Sequence, residues 1–201
     1  MTMSEVAARY GICMDFETRS NANLRDVGAF RYALDSSTDV LCLAYEVPGM
    51  AIQVWDPSRD QELPDIFGSY SYYAHNAQFE WCIWNLLCVP KYGFPRLPFR
   101  KFYCSAAEAA TMSLPRSLQE LARVLRVSEQ KDMRGHRTML LMSQPRSAVR
   151  GGGWYDDLGR KQDLYDYCRQ DVKTEKACLE FLIPCTPPER KVFLLDHKIN
   201  A

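Results

Sequence analysis

The order of β-forming and helix-forming segments limits the possible fold most strongly. Short runs of β-forming residues come first, and alternating strand-like and helix-like segments follow. Five such runs predict strands, at residues 10–16, 40–47, 51–55, 70–74 and 102–104. Pro48 and Gly49 predict a tight turn that makes the second and third strands a hairpin. This order predicts an α/β fold in which helices flank a mixed sheet of about five strands.

Helical periodicity fills much of the remaining chain. The predicted helices span residues 60–67, 77–87, 106–112, 117–125 and 161–182, and a further helix starts at Pro187. Ser117 is the expected N-cap of its helix, and Glu120 would complete a capping box. Prolines and three consecutive glycines predict a surface loop over residues 143–159.

The composition gives little direct information about partners. Twenty-five basic residues balance twenty-five acidic ones, so the net charge does not indicate a nucleic-acid ligand. The sequence has no signal-peptide pattern and no apolar run approaching the roughly 18 residues of a membrane span, which predicts a soluble cytoplasmic protein without a membrane partner. The eight cysteines form no CxxC pair, so we expect small buried side chains rather than a zinc or disulfide framework.

Asp15 and Glu17 stand two residues apart at the end of the first predicted strand. The period of a strand places both side chains on one face of the sheet. Two carboxylates aimed at one point repel each other unless a cation lies between them. Taken alone, the pair is equally compatible with a solvated strand end.

Two later segments carry further acids. Asn76 follows a predicted strand and can cap the next helix, and Glu80 lies in that helix's first turn. Tyr167 and Asp171 are four residues apart on the long helix and therefore share a face. Each segment also has a simpler interpretation: a cap with a dipole-complementing acid, and a boundary between core and surface.

Together, the order DFE, HNAQFE and YCRQD resembles the three exonuclease motifs of the DEDD superfamily, in the subclass with tyrosine in its last motif. The segments DFETRSNANLRDVGAFRYALD, SLPRSLQELARVL and LLDHKIN are similar to the proofreading region of phage and bacterial family A DNA polymerases. The resemblance covers almost the whole chain and implies a ribonuclease H-like fold. It also implies a 3′→5′ exonuclease that releases nucleoside monophosphates from DNA 3′ ends.

The resemblance assigns roles to particular residues. Asp15 would bridge two divalent cations, Mg²⁺ or Mn²⁺, Glu17 and Asp171 would complete the first metal's ligands, and Tyr167 would orient the attacking water. Glu80 would serve the second metal, although many relatives have Asp there, which leaves that coordination open. By motif position, the expected substrate contacts are Thr18, Arg19, His75, Asn76, Gln78 and Phe79. Position 166, where a histidine subclass would place its histidine, is Asp166.

The resemblance also implies partners and a domain division. Residues 1–185 would form the exonuclease domain, and residues 186–201 would begin a helical linker to a polymerase module in the same or a longer chain. The substrate would be single-stranded or frayed 3′ DNA ends, in the cytoplasm of a bacterial or phage-infected cell. Two alternatives stay open: a free-standing exoribonuclease of the RNase D kind, and a catalytically weak domain that binds DNA or serves polymerase architecture.

The segment from Arg116 to Lys161 has a local excess of basic residues interleaved with Trp154 and Tyr155. This mixture is typical of a groove that follows a nucleic-acid backbone and stacks its bases, and equally of a solvated basic face. The basic side chains inside the segment are Arg123, Arg126, Lys131, Arg134, His136, Arg137, Arg146, Arg150 and Arg160.

Overall fold

The computed structural model describes residues 11–60, 63, 65–129, 133–147, 149 and 152–200, with the side chains of 65, 66, 133 and 134 excluded. Five strands form one sheet in the order β3-β2-β1-β4-β5. They are β1 (Ile12–Arg19), β2 (Asp39–Glu46), β3 (Gln53–Trp55), β4 (Tyr72–Ala74) and β5 (Phe102–Cys104). The first three pair antiparallel, whereas β1, β4 and β5 run parallel. The predicted mixed five-stranded α/β sheet of the ribonuclease H-like fold is confirmed.

Helices cover both faces of this sheet. They are α1 (Leu24–Leu34), α2 (Ala77–Cys82), α3 (Val89–Tyr92), α4 (Ser105–Thr111), α5 (Leu118–Leu125), α6 (Met133–Met142), α7 (Leu158–Leu179) and α8 (Pro187–Ile199). A π-helical turn, Ile83–Cys88, joins α2 to α3, and short 3₁₀ turns occupy Asp65–Gly68 and Phe99–Lys101. Among the described residues, none of the helices has the length and apolar character needed to cross a bilayer.

Alternation along β1 separates two cores. Ile12, Met14 and Phe16 belong to a cluster with Trp84 and other residues of the α2 side. Cys13 belongs to a second cluster on the other face, which includes residues of α5 and α7. Because Asp15 and Glu17 share the parity of Cys13, their side chains face α7. The sheet thus directs the acids toward the helix that carries the last motif.

Two helices were not predicted from sequence. Helix α1 is interrupted at Gly28, whose φ of 76° breaks the helical periodicity, and Asn23 caps it by accepting the N–H of Arg25 at 3.1 Å. Helix α6 contains Gly135 and several charged residues in its first half, where no regular apolar period stands out. Leu24 at the start of α1 and Met139 of α6 lie beside the acids, so these omissions affect the description of the site.

Several predicted boundaries and caps need correction. The capping box of α5 is wrong: within the described chain Ser117 makes no side-chain capping bond, and Glu120 pairs with Arg123 at 2.9 Å instead. The short helix predicted at 60–67 is the 3₁₀ turn Asp65–Gly68, although positions 61, 62 and 64 lie outside the described residues, as does position 10 of the first strand. Asn76 occupies the N-cap position of α2 in a left-handed conformation. Its side chain makes no capping bond to the described residues.

The remaining helices follow the sequence more closely. The helix predicted at 77–87 continues to Tyr92, and the π-helical turn precedes Pro90, whose nitrogen cannot donate to a regular helix. Helix α7 begins at Leu158, which shortens the predicted loop. Helix α8 begins as predicted and has a capping box between Thr186 and Glu189.

Helix α8 packs on the rest of the domain through aromatic rings. The His197 ring lies 3.5 Å from the Phe99 ring and 4.6 Å from the Trp81 ring, measured between centroids. Phe193 stacks on Phe99 at 5.1 Å. The boundary at residue 185 stays a prediction.

The backbone of Gly11 packs tightly against Ser71, the residue that precedes β4. A Cβ atom at this position would lie 1.8 Å from the carbonyl oxygen of Ser71, the oxygen that accepts the N–H of Ile12 at 2.9 Å. We expect Gly11→Ala to force β1 and β4 apart and lower the free energy of unfolding by about 1–3 kcal/mol. Urea unfolding measures this loss. Gly68→Ala is the matched control because nothing lies within 4 Å of its added Cβ; equal destabilisation by the two substitutions would contradict the prediction.

Candidate active site

The first acid pair lies where β1 meets α7. The ligand atoms of Asp15, Glu17 and Cys168 all lie within 4.8 Å of one another. The pairing register of β1 with β2 shifts between Glu17 and Thr18, immediately after the pair. Such an irregularity changes the direction of the following side chains, so the alternation that aims both acids at one point ends there.

Glu80 reaches the same region from α2 and is only 3% exposed. One side of its carboxylate accepts the backbone N–H of Phe16, the residue between the first two acids. Its Oε2 is buried and has no hydrogen-bond partner within the described part of the chain. Burial and the nearby charge of Asp15 raise the pKa of Glu80 well above its ordinary value. A buried carboxylate oxygen without a donor suits a cation ligand.

Tyr167 and Asp171 complete the predicted set from one face of α7, and both are buried. The Tyr167 hydroxyl bonds to the Asp171 carboxylate. Burial, followed by the charges of Asp171, Glu17 and Asp15, raises the pKa of Tyr167. The phenol therefore keeps its proton at neutral pH and acts as a hydrogen-bond donor.

Cys168 takes part in the site rather than only filling the core. Its single S–H is shared between two acceptors, the backbone oxygen of Asp15 at 3.2 Å and Asp15 Oδ2 at 3.3 Å. Burial raises the pKa of this thiol, which keeps the donor proton in place. The sequence interpretation of the cysteines as small buried side chains missed this contact; the position beside Tyr167 in the last motif was the available signal.

Glu175 is a further carboxylate that sequence reasoning did not assign to the site. It lies one turn after Asp171 on α7 and is 2% exposed, and its Oε1 lies 2.7 Å from the Ser105 hydroxyl oxygen. Burial and the charges of Asp15, Glu108 and Asp171 raise the pKa of Glu175 to about 8. Its i, i+4 relation to Asp171 was visible in the sequence, but its depth was not.

A cavity of about 440 Å³ opens onto these groups. Eight of the predicted residues line it together: Asp15, Glu17, His75, Asn76, Phe79, Glu80, Tyr167 and Asp171. His136, one of the basic side chains of the segment between Arg116 and Lys161, also lines it, with its ring 6.3 Å from the ring of Tyr167. Leu24 of the unpredicted helix α1 and Met139 of α6 complete part of the wall.

Three predicted substrate contacts are not among the described residues that line this cavity: Thr18, Arg19 and Gln78. The Thr18 hydroxyl bonds to the Tyr32 hydroxyl at 2.9 Å. Arg19 pairs with Asp39 at 3.4 Å and Asp156 at 3.6 Å. The side chains of Thr18 and Arg19 are thus bonded within the protein. Contact of all three residues with substrate stays a prediction.

A second cavity, of about 430 Å³, adjoins the first at Leu24, which lines both. Its wall combines small polar side chains with one arginine: Ser20, Asn21, Asn23, Arg25, Ser143 and Gln144 belong to it. Leu24 therefore stands between the carboxylate cavity and a polar cavity at the start of α1.

The donor set of the first cavity fits hard divalent cations. Asp15, Glu17, Glu80 and Asp171 supply carboxylate oxygens, the ligands that Mg²⁺ and Mn²⁺ prefer. The protonated Cys168 thiol is a poor ligand for such ions.

The buried proton of Glu175 should make stability depend on pH. Between the ordinary value of 4.5 and about 8, the folded chain keeps this proton and the unfolded chain releases it. The free energy of unfolding should therefore fall as pH rises through this window, by at most about 1.4 kcal/mol per pH unit for this group. Urea unfolding from pH 5 to 8, with chelator present, should give a shallower slope for Glu175→Gln. Identical slopes in both proteins would refute the assignment.

Comparison with known proteins gives one informative similarity. No family model matches the chain. The chain is 26% identical to a DNA polymerase of Bacillus phage SP02 over an alignment of 203 positions, which covers 94% of this chain. That alignment covers 31% of the polymerase, so the chain spans about a third of the length of this curated relative. In sequence, the chain is similar to one segment of a phage DNA polymerase.

Proposed function

We propose that this chain is a metal-dependent 3′→5′ exonuclease that shortens DNA from its 3′ end as the proofreading domain of a DNA polymerase. The observation that carries the proposal is the meeting of Asp15, Glu17, Glu80 and Asp171 at one cavity, from three segments far apart in sequence. Burying acids together is energetically unfavourable, so such a cluster indicates a functional site. The similarity to a phage DNA polymerase supports the association with a polymerase.

The four acids would hold two divalent cations, which supply stabilisation of the charge on the attacking and leaving oxygens of a phosphodiester. Asp15 adjoins groups from the other segments: its ligand atom and those of Glu17 and Cys168 all lie within 4.8 Å of one another, and its charge acts on Glu80. It is therefore the best candidate for a bridging ligand. Glu80 would join these ligands from α2, an element separate from the strand of Asp15 and the helix of Asp171.

Tyr167 is suited to orienting water rather than to removing a proton. Its hydroxyl is fixed by Asp171 and stays protonated in this acidic surrounding. A group that keeps its proton at neutral pH is a poor general base. The phenol can instead direct a lone pair toward a water molecule at the mouth of the carboxylate cluster.

The cavity shape fits one unpaired nucleotide and a strand that leads away from it. Phe79 and Leu24 present apolar surface for the terminal base or sugar, and Asn76 offers an amide. Upstream nucleotides would leave past Leu24 into the second cavity, where Arg25 supplies positive charge. A paired end would have to fray first, which favours mismatched termini.

Degradation of labelled DNA tests the activity. Single-stranded DNA labelled at its 5′ end should shorten stepwise from the 3′ end with Mg²⁺ or Mn²⁺ and stay intact with EDTA. Asp15→Asn should lower the rate by at least about a hundredfold, because one acid of the cluster loses its charge. Asp163→Asn, an exposed acid of α7, is the matched control and should retain full activity.

Comparison of DNA with RNA substrates distinguishes the proposed function from the two alternatives, an exoribonuclease and a domain that only binds DNA or serves polymerase architecture. Preference for RNA of the same sequence would favour an exoribonuclease. Absence of metal-dependent shortening, with DNA binding retained, would replace the proposal by an architectural role.

Arg25 tests the path of the upstream strand. We expect Arg25→Ala to weaken binding of a DNA strand of eight or so nucleotides to the EDTA-treated protein, and to lower the slope of log affinity against log salt by about 1. A dinucleotide, which ends before the second cavity, should bind equally to both proteins. Arg31→Ala, an exposed residue of the same helix outside both cavities, is the control. Equal effects of the two substitutions would place the strand elsewhere.

A further inference from the structure

A chain of hydrogen bonds connects the buried Glu175 to the mouth of the carboxylate cavity. Glu175 Oε1 lies 2.7 Å from Ser105 Oγ, and Ser105 Oγ lies 2.9 Å from His75 Nδ1. The other ring nitrogen, His75 Nε2, lies 2.7 Å from the backbone oxygen of Arg116. Ser105 is fully buried, and His75 and Arg116 both line the cavity.

The parallel pairing of two strands brings His75 and Ser105, the middle of this series of hydrogen bonds, together. Ala74 of β4 is paired with Cys104 of β5. The next residue after each strand is His75 and Ser105, so the two side chains emerge at the same edge of the sheet. His75 directly precedes Asn76, which turns the chain with a φ of 69° into the helix that bears Glu80.

The directions of these hydrogen bonds restrict where the protons on Glu175, Ser105 and His75 can lie. The carbonyl oxygen of Arg116 can only accept, so His75 Nε2 carries a hydrogen. The Ser105 hydroxyl has one hydrogen and cannot donate to both His75 Nδ1 and Glu175. Two arrangements remain: a neutral imidazole with a protonated Glu175, or an imidazolium with a Glu175 carboxylate.

The surrounding charges select between the two. Asp15, Asp171, Glu108 and Glu80 all act on or beside Glu175. A further carboxylate there would add repulsion in a site of low solvation. The neutral arrangement avoids this: Glu175 donates to Ser105, Ser105 donates to His75 Nδ1, and His75 Nε2 donates to Arg116.

We propose that Glu175 and Ser105 are positioning residues that fix His75 as the neutral Nε2–H tautomer and so hold the mouth of the site. Through His75, they join the start of α2 to the segment containing Arg116, two walls of the carboxylate cavity. His75, with both ring nitrogens bonded to the protein, acts as a clamp. The role in catalysis rests on the proposed exonuclease function, whereas the tautomer and the clamp do not.

The first experiment needs no enzymatic activity. Ring ¹⁵N chemical shifts of the metal-free protein should show His75 as the neutral Nε2–H tautomer at pH 7. Ser105→Ala and Glu175→Ala should shift the His75 ring signals, whereas Glu175→Gln should preserve the tautomer because an amide can still donate to Ser105. Glu108→Ala removes an equally buried acid that is not a member of these hydrogen bonds. Because Asp15, Asp171 and Glu80 still act on Glu175, the His75 ring signals should stay in place. An imidazolium in the unmodified protein, or unchanged His75 signals in Ser105→Ala, would overturn the proposal.

The second experiment measures DNA hydrolysis by the same variants, each first checked for a folded amide spectrum. We expect Ser105→Ala and Glu175→Ala to lower kcat by about tenfold with a smaller change in KM, as for loss of other outer-shell partners. Glu175→Gln should restore kcat to within about threefold of the unmodified chain. Glu108→Ala losing as much as Glu175→Ala, or Glu175→Gln failing to restore activity, would overturn the positioning role. If the unmodified protein does not hydrolyse DNA, the proposed function fails. The His75 spectra still test whether Ser105 and Glu175 fix the tautomer of His75.

Discussion

Mutual repulsion among buried carboxylates is the constraint on which the rest of this structure depends. Asp15, Glu17, Glu80, Asp171 and Glu175 approach one another in a region with little water, where like charges interact strongly. The protein manages part of this repulsion by protonation and part by donors. The Cys168 thiol, the Tyr167 hydroxyl and the Phe16 N–H each donate to one of the acids.

Rigid elements hold these acids in spite of the repulsion. Strand β1 is central in the sheet and is paired on both sides, antiparallel to β2 and parallel to β4. Its other face packs Ile12, Met14 and Phe16 into an aromatic core, in which Phe16 meets Trp84 edge to face at 6.3 Å. The favourable burial on that face fixes the orientation of the acids on the opposite one. Helix α7 is similarly anchored by Leu164, Val172 and Leu179.

Local periodicity explains why part of the site could be predicted from sequence. A period of two fixed the common face of Asp15 and Glu17, and a period of 3.6 fixed that of Tyr167 and Asp171. Glu175 obeys the same helical period, but its neighbours Ser105 and His75 directly follow β5 and β4, and the register of these two strands is a long-range property. The contact of His75 with Ser105 likewise depends on the pairing of Ala74 with Cys104. Helix α1 was missed because Gly28 interrupts it, and the error over Ser117 and Glu120 arose because Arg123 competes for the carboxylate.

The basic and aromatic segment before α7 shows how a composition signal is changed by tertiary contacts. The Trp154 ring lies 5.3 Å from the Arg19 guanidinium, and the Tyr155 ring contacts Arg146 and Arg160 at 5.0 and 4.9 Å. These cations and rings satisfy each other within the protein. Lys131, Arg150 and the side chain of Arg134 lie outside the described residues. Among the described ones, the segment connects the end of β1 to the start of α7. Under the proposed exonuclease function, the polar cavity beside Leu24 would therefore be the surface left open to a DNA strand.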